Sequence, residues 1–502
     1  MSFSTENILL IGAVLLFFSL FWERIAHKFE VFVLILFLAI GILVSSHGVG
    51  GIHFGNPETA HFIGIIALAI ILFSGGMDAK FKEVKPIVVP SILLATVGVL
   101  LTALVAGVFI YWVTTTYFIK YELTLTESFL LASIVASTDF ALVFAILHSK
   151  GLHLKHNLGS LLEFESGSND VMAYLLMMTF VEFVRAQSSG AAEVMGALGM
   201  FFYKLLIGAL CGFLLGKLAV RIINKVNMTN KALYPIFLLA ICLILFLTTE
   251  LIHGSGFLAA YLGGLTIGNS RFVHKRSSMN FFDGFSWLAQ ILMFFTFGML
   301  INPQDLLPVA GLGVTIGLFI ILIARPLGVW GCLFPFKKIP PKAKFFVSWV
   351  GLRGAVPLIF ATCVLAENLE HGELMFNIVF FIMLTSLLVQ GTTVSSVANL
   401  FKLGQDPKTD THSHDTALPE DIKSVMMEIT VQKEHLKKGN CLMEMQFSEN
   451  TLIAMVRRGN RYFIPNGDTK IDEGDVLLTI SDDEALSETC ENMGIKVDSV
   501  KK

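Results

Sequence analysis

The sequence predicts an all-α polytopic membrane protein followed by a small α+β domain at its C-terminal end. Three observations support this fold class. Hydrophobic residues make up 54% of the 502-residue chain and charged residues only 15%, with a mean hydropathy of +0.72, whereas soluble domains carry about 25% charged residues. Apolar runs of membrane-crossing length follow one another as far as Leu400. Beyond that residue, the chain becomes polar and then changes to short alternating runs.

We expect about 13 transmembrane helices. The chain contains that number of apolar runs, and the length of each is close to the roughly 20 residues needed to cross a bilayer. The runs are centred near residues 15, 38, 66, 100, 137, 170, 208, 241, 262, 291, 320, 354 and 387. Odd-numbered loops together carry 17 Lys and Arg residues, and even-numbered loops carry only Lys120 and Arg185. Since basic loops stay inside, this pattern predicts a multi-pass protein of the inner or plasma membrane. Its N-terminus is expected outside and its C-terminus in the cytoplasm.

Two spans contain residues that interrupt a membrane helix. The fifth carries Ser137-Thr138-Asp139 near its centre, and the twelfth, Ser348 to Cys363, places glycines and a proline around Arg353. Such backbone is tolerated at membrane depth only where it lines a polar cavity or meets a partner. Broken helices in corresponding positions of two halves are typical of inverted-repeat secondary transporters. We therefore expect two broken crossing helices, with spans 1–6 paired to spans 8–13 and span 7 as the connector.

Three carboxylates lie in neighbouring spans, namely Asp139, Glu165 and Asp170. An ionisable group in hydrocarbon costs roughly 2.5–3.5 kcal/mol and is rarely kept without a function. By their spacing, Ser166, Asn169 and Asp170 share one helix face. Their oxygens can replace the hydration shell of a small cation, and the carboxylate can bind a proton instead, so that the two ions compete for one site. The alternative is a structural polar cluster that holds helices together.

Two arginines, Arg325 and Arg353, lie in later spans. A buried guanidinium must be paired, and the carboxylates of the fifth and sixth spans are its natural partners. Three acids set against two arginines leave one carboxylate uncompensated, and that acid is the candidate for ion transport. The residues indicate no enzyme, no cofactor and no metal other than a transported monovalent cation.

Three motifs in order resemble the NhaP-type family of cation:proton antiporters, and most closely its potassium/proton branch. They are Ser137-Thr138-Asp139, the Glu165-Ser-x-x-Asn-Asp170 run and the Gly351-Leu-Arg353-Gly-Ala-Val-Pro run. The Gly-Ser-Gly-Phe-Leu-Ala run that starts at Gly254 fits as well. The resemblance extends from about Ile8 to Leu400.

The resemblance also implies a role for each motif residue. Asp170 is expected to be the exchanging carboxylate, and Ser166 and the backbone of Thr138 are expected to help coordinate the cation. An Asn at position 169 resembles the electroneutral members, which exchange one cation for one proton. One departure is Phe140, which follows Asp139 where many relatives have proline or a small residue, so the unwound segment is expected to differ in shape.

Two structural ion pairs are implied in the same way. The resemblance pairs Glu165 with Arg325 and Asp139 with Arg353. This assignment agrees with the count of acids and arginines, because it leaves Asp170 as the acid without a guanidinium partner.

The remainder of the chain is predicted to be a linker and a regulatory domain. The exchanger domain spans residues 1–401, a polar linker spans 402–421, and a small β-rich domain spans 422–502, with a short helix near Asp483–Met493. The domain resembles the C-terminal lobe of RCK/TrkA-type regulators of potassium transport. Its matching runs are Met455-Val456-Arg457-Arg458-Gly459, Ile464-Pro465-Asn466-Gly467-Asp468 and Glu473-Gly474-Asp475-Val476-Leu477. The class implies dimerisation and a small regulatory ligand such as a nucleotide, for which Arg457 and Arg458 are candidates, with a solvated turn as the alternative.

These features predict a secondary transporter that exchanges K⁺ for H⁺ by alternating access, in service of cation and pH homeostasis. Na⁺/H⁺ exchange is the alternative within the class. A cation channel gated by the cytoplasmic domain is opposed by the broken helices and by the lack of a TVGYG-like filter sequence. A receptor with a vestigial polar core is opposed by the complete set of acids. The expected partners are the two ions, membrane lipid and a second copy of the chain, and no nucleic acid.

Overall fold

The computed structural model describes residues 30–45, 56–81, 85–150, 152–155, 157–186, 191–226, 228, 230–405, 424–431, 441–445, 447, 451–459 and 461–482. The chain divides into two compact units, Met1–Asp410 and Thr411–Lys502. The predicted first span, near residue 15, lies outside the described residues. So do most of the predicted linker and the predicted helix near Asp483–Met493.

The first unit is helical, as the composition predicts. Its α-helices, numbered in chain order, are α1 (Glu30–Val44), α2 (Pro57–Asp78), α3 (Val88–Leu93), α4 (Val99–Thr116), α5 (Leu125–Ile134), α6 (Phe140–Ser149), α7 (Leu158–Ala186), α8 (Ala191–Lys225), α9 (Leu233–Leu251), α10 (Gly256–Gly268), α11 (Lys275–Leu300), α12 (Pro303–Leu306), α13 (Ala310–Phe319), α14 (Arg325–Leu333), α15 (Pro341–Trp349), α16 (Val356–Ala366), α17 (Gly372–Ser386) and α18 (Thr392–Leu400). Within the described residues, seven helical segments are long and apolar enough to cross a membrane, and four shorter apolar helices accompany them.

Three π-helical segments join consecutive α-helices. They are Leu94–Gly98 between α3 and α4, Ile320–Ala324 between α13 and α14, and Leu387–Gly391 between α17 and α18. Short 3₁₀ segments lie at Lys85–Ile87, Ile119–Tyr121 and Leu307–Val309. A π segment inserts one residue into a turn and so re-aims the side chains that follow it. Arg325 comes directly after the second of these segments.

Two pairs of short helices form the interrupted helices that the sequence predicts. The chain is not helical at residues 135–139, between α5 and α6, and again at residues 350–355, between α15 and α16. The two breaks meet, since the Asp139 N–H donates to the Leu352 carbonyl oxygen at 2.6 Å. Each break thereby satisfies part of the backbone that the other exposes, as irregular backbone at membrane depth requires.

Helices α2 and α10 pack closely through small residues. A Cβ at Gly76 would overlap the Tyr261 carbonyl oxygen, and a Cβ at Gly264 or Gly268 would overlap carbonyl oxygens of α2. Close approach of this kind is the usual basis of helix association in membranes, where burial of apolar surface alone supplies little. The backbone of Tyr261 is therefore held firmly against α2.

The second unit contains a four-stranded antiparallel sheet in the order β3-β6-β4-β5. Its strands are β3 (Ser424–Thr430), β4 (Thr451–Arg458), β5 (Arg461–Phe463) and β6 (Val476–Asp482), which agree with the alternating runs of the sequence. Ile429, Val456 and Leu477 form the centre of its core. Two further strands belong to the first unit, where β1 (His153–Leu154) pairs with β2 (Gly404–Gln405). The start of the predicted linker is therefore part of the helical unit.

Candidate functional site

The Asp170 carboxylate lies against the break between α5 and α6. Ser137 Oγ donates to Asp170 Oδ1 at 2.6 Å, and both side chains are buried. Among the described residues, Ser137 is the one that hydrogen-bonds this carboxylate. The hydroxyl orients the carboxyl group and leaves its second oxygen available to a ligand.

Ser166 and Asn169 bind the unwound residue Thr138 from the side of α7. Ser166 Oγ donates to the Thr138 carbonyl oxygen at 2.7 Å and accepts from the Phe140 N–H at 3.0 Å. Asn169 Oδ1 accepts from the Thr138 N–H at 3.1 Å, and its Nδ2 donates to Thr138 Oγ1 at 2.5 Å. A proline at position 140 would lack the N–H that donates to Ser166 Oγ. Phe140 therefore adds a bond, and Ser166 keeps one lone pair for a cation.

Glu165 and Arg325, which are 160 residues apart in sequence, form a buried ion pair. Arg325 Nη2 donates to both carboxylate oxygens of Glu165 at 2.9 and 3.0 Å, and each side chain is 1% exposed. Asn169 Nδ2 also donates to Glu165 Oε1 at 3.1 Å. The pair therefore adjoins the Thr138 network, and both oxygens of the Glu165 carboxylate are bonded to a guanidinium.

The structure does not bring Asp139 and Arg353 into the ion pair that the resemblance implies. Arg353 Nε donates to the Val135 carbonyl oxygen at 3.0 Å, and its Nη1 donates to the Gly351 carbonyl oxygen at 2.9 Å. Asp139 Oδ1 instead accepts from the Leu142 N–H at 3.3 Å. The correction has a physical reason: the two helix breaks free carbonyl oxygens that bind a guanidinium, and the start of α6 offers amides that bind a carboxylate.

A cavity of about 590 Å³ reaches the Asp170 carboxylate. It is lined near the helix breaks by Asp139, Ser166, Asp170 and Tyr261, and elsewhere by the C-terminal part of α2, the start of α7 and the middle of α11. Its charged side chains are the carboxyl groups of Asp78, Asp139, Glu163, Asp170 and Asp283 and the ammonium group of Lys80. The cavity is therefore an acidic passage that ends at the candidate ion site. A passage in which acidic groups outnumber basic ones raises the local concentration of cations.

The sequence matches a known family across most of the chain. A profile described as "Sodium/hydrogen exchanger, transmembrane" matches residues 12–400. The chain belongs to this exchanger family. It is therefore a multi-pass membrane antiporter, and the resemblance read from its three motifs is confirmed. A TrkA-C domain matches residues 426–494.

Two curated relatives and one solved structure illustrate the likeness. The chain is 36% identical over 491 residues to a K(+)/H(+) antiporter NhaP2 of Shewanella sp. (strain MR-4), covering 96% of this chain and 82% of the relative. It is 36% identical over 446 residues to a K(+)/H(+) antiporter NhaP of Alkalimonas amylolytica, covering 89% and 75%. The fold resembles the sodium proton antiporter MjNhaP1 of Methanocaldococcus jannaschii with a TM-score of 0.66 at 23% identity, covering 79% of this chain and 98% of that one.

Sequence reasoning missed two polar residues that hold the second break of this exchanger. The Arg353 N–H donates to Ser386 Oγ at 2.9 Å, and Ser386 Oγ donates to Gln390 Oε1 at 2.6 Å. Gln390 Nε2 then donates to the Trp349 carbonyl oxygen at 2.6 Å. Both side chains lie in the thirteenth apolar run, and buried polar groups in an apolar run are the signal that identifies them.

In the C-terminal unit, Arg458 is engaged by the protein itself. Its guanidinium makes three hydrogen bonds to the Asp475 carboxylate at 2.7–3.2 Å and contacts Asp472 at 2.8 Å. Burial acts to raise the pKa of Asp475, but the hydrogen bonds from Arg458 hold that pKa below its ordinary value. Arg458 is therefore bonded to two carboxylates of its own unit, and its role as a ligand-binding residue stays a prediction.

The two helix breaks approach each other so closely at Gly354 that this position has no room for a side chain. A Cβ at this position would lie 2.8 Å from Asp139 Cγ and 3.0 Å from Asp139 Cβ, and Asp139 is held in place by its own backbone and side-chain hydrogen bonds. We expect Gly354→Ala to lower the exchange rate by about tenfold or more, because it displaces the site backbone. The matched control is Gly284→Ala, whose Cβ would meet no atom within 4 Å. The exchange rates of both variants are measured as proton flux in proteoliposomes. A wild-type rate for Gly354→Ala would contradict the assignment of the two helix breaks to the exchange site.

Proposed function

We propose that this antiporter exchanges K⁺ for H⁺ electroneutrally at Asp170. The observation that carries the proposal is the Asp170 carboxylate itself, which ends an acidic passage, is oriented by Ser137 and has no guanidinium partner among the described residues. One carboxylate that binds either a proton or a cation supplies the competition that exchange needs. The names of the two relatives, both K(+)/H(+) antiporters, favour K⁺ over Na⁺.

In this proposal, the cation is bound by oxygens around the first helix break. Asp170 supplies a charged oxygen, and Ser166 and the Thr138 carbonyl supply neutral ones, each with a lone pair left after its protein hydrogen bond. Asn169 has an organising role, because its Oδ1 and Nδ2 bind Thr138 and Glu165. Asp139 lies beside the site on the cavity wall and is a second carboxylate that a passing cation meets.

We further propose that the site is open to the cytoplasm in this conformation. Asp78, Glu163 and Asp283 line the far end of the cavity and lie next to the basic odd-numbered loops, which stay inside by the charge rule. On the other side of Asp170, aromatic rings close the path: Tyr174 packs edge-on against Phe257 at 4.7 Å. Alternating access requires such a seal to open as the inner passage closes.

The proposed architecture is 13 spans in inverted repeats, with the N-terminus outside and the C-terminal domain in the cytoplasm. Two features support the pairing of spans 1–6 with spans 8–13. The helix breaks fall in spans 5 and 12, and the π segments Leu94–Gly98 and Ile320–Ala324 fall in spans 4 and 11. Both pairs are related by the same shift of seven spans, which a repeat would produce.

We also retain as proposals the division into residues 1–401, 402–421 and 422–502, a homodimer, bound membrane lipid and a small regulatory ligand of the TrkA-C domain. Arg457 and Arg458 are the candidates for that ligand, and Arg458 is also hydrogen-bonded to Asp475. Titration of the full-length protein with nucleotides, followed by its thermal stability, tests the ligand.

The decisive experiment is exchange in proteoliposomes that have an acidic interior and a pH-sensitive dye. Adding K⁺ outside is expected to release protons from wild-type vesicles, with no change in rate when the membrane potential is clamped, as electroneutral exchange requires. Adding Na⁺ alone tests the second candidate, which the fold likeness to a sodium proton antiporter keeps open. Proton release with Na⁺ but not K⁺ would replace the proposed cation, and release with neither would refute the proposal.

A further inference from the structure

The hydroxyl of Tyr261 is a buried polar group on the cavity wall that the site described above does not use. Tyr261 lies on α10, is 2% exposed and lines the cavity together with Ser166 and Asp170. By distance and angle, its hydroxyl has no hydrogen-bond partner in the part of the chain that the structure describes, and the Ser168 side chain lies near enough to act on it. A buried hydroxyl left in this way is costly, so the cavity must supply its partner.

Gly167 makes room for this ring beside the ion site. A Cβ at position 167 would lie 2.8 Å from Tyr261 Cζ, the ring carbon that bears the hydroxyl. Phe164 meets the same ring edge-on, with centroids 6.1 Å apart. Because the backbone of Tyr261 is packed against Gly76 of α2, the ring is fixed at both ends. The hydroxyl is therefore held against the turn of α7 that carries Ser166.

Two carboxylates lie on either side of this hydroxyl along α7. Glu163 and Asp170 are the charged groups close enough to act on it, and both line the cavity. Their seven-residue separation corresponds to about 10 Å along the helix axis, which is too far for both to touch one ion. Gly167, against which the ring rests, is four residues from the first and three from the second. The hydroxyl therefore lies between them on the same helix face.

We propose that the Tyr261 hydroxyl binds the partly hydrated monovalent cation at an intermediate station between Glu163 and Asp170. A phenol hydroxyl accepts from a water of the cation or contacts the cation directly, and donates to a carboxylate. Tyr261 is thus a further ion-path residue of the exchanger. The inference rests on the proposed exchange of a monovalent cation at Asp170.

The test is Tyr261→Phe, which keeps the ring in the space left by Gly167 and removes only the hydroxyl. We expect the cation concentration for half-maximal exchange to rise by roughly tenfold, the size expected for one lost hydrogen bond to an ion, with the maximal rate nearly unchanged. The matched control is Tyr234→Phe, because the buried Tyr234 hydroxyl bonds the backbone of Val226 and Met228 and does not line the cavity. The control is expected to keep the wild-type half-maximal concentration.

Two further measurements separate the inference from the proposed function. Proton release on adding K⁺ or Na⁺ to the purified, weakly buffered protein reports binding without flux, and is expected to shift by the same factor in Tyr261→Phe. The double variant Tyr261→Phe/Glu163→Gln is expected to have the same half-maximal cation concentration as the single variant that binds the cation more weakly. The two effects do not multiply because both residues serve one station. If wild type exchanges but Tyr261→Phe matches it, or the two effects multiply, the inference is overturned. If wild type neither exchanges nor releases protons, the proposed function fails instead.

Discussion

Asp170→Asn is expected to reduce cation-driven proton flux to that of empty liposomes. The amide has nearly the shape of the carboxyl group, and its oxygen can still accept the 2.6 Å hydrogen bond from Ser137, so the helix break remains supported. What the variant loses is the negative charge and the group that takes up the proton. Because both ions of the exchange depend on that oxygen, binding and exchange are lost together.

The measurement is proton release from proteoliposomes on addition of K⁺ and of Na⁺, with the amount of protein in the vesicles determined for each variant. Asp305→Asn is the matched control, since Asp305 lies in α12, away from the cavity lining, and undergoes the same change of chemistry. It is expected to exchange at the wild-type rate. Flux through Asp170→Asn above that of empty liposomes would move the exchanging group to another acid of the passage, and Asp139 would be the first candidate.

The site could be predicted from the sequence as far as local spacing and charge balance extend. Spacing alone places Ser166, Asn169 and Asp170 on one helix face, and the structure finds all three at the first break. Charge balance indicates that a carboxylate must meet Arg325, and the structure places Glu165 there. Both inferences succeed because burying an unpaired charge or a misplaced polar residue in a membrane is costly.

Charge balance fails where the backbone takes the place of a carboxylate. The Arg353 guanidinium is satisfied in part by the carbonyl oxygens of Val135 and Gly351, which exist as free acceptors only because two helices are interrupted. Sequence shows where helices break but does not show which side chain the released carbonyl groups will bind. The orientation of Arg353 is therefore a property of the packed breaks.

The outline of the fold is also readable from sequence, and its fine geometry is not. The strands of the C-terminal unit follow the alternating runs because one face of the sheet is buried. The π segments, in contrast, have sequences such as Ile320–Ala324 that any apolar helix would contain. A π turn depends on packing against neighbouring helices. At the start of the π segment Leu94–Gly98, for example, Cys332 Sγ of α14 donates to the Leu93 carbonyl oxygen at 3.5 Å. No local pattern records such a contact.

The second large effect concerns stability and is expected at the Glu165–Arg325 pair. Removing one partner of a buried ion pair costs about 3–5 kcal/mol, because the other charge remains without compensation. The two single variants are not equivalent. Glu165→Leu leaves the guanidinium of Arg325 buried beside that of Arg353, with no carboxylate bonded to either. Arg325→Met leaves Glu165, which keeps its hydrogen bond from Asn169 Nδ2.

We therefore expect Glu165→Leu to lower the midpoint of thermal unfolding in detergent more than Arg325→Met does. The double variant is expected to recover part of the loss, because no unpaired charge remains at the pair and the apolar side chains fill similar volumes. Unfolding followed by tryptophan fluorescence or by size-exclusion after heating gives all three midpoints. Equal losses in the single variants, or a double variant that loses their sum, would show that the pair does not act as one unit. In that case, the network from Arg325 through Glu165 and Asn169 to Thr138 would not couple the second half of the exchanger to its ion site.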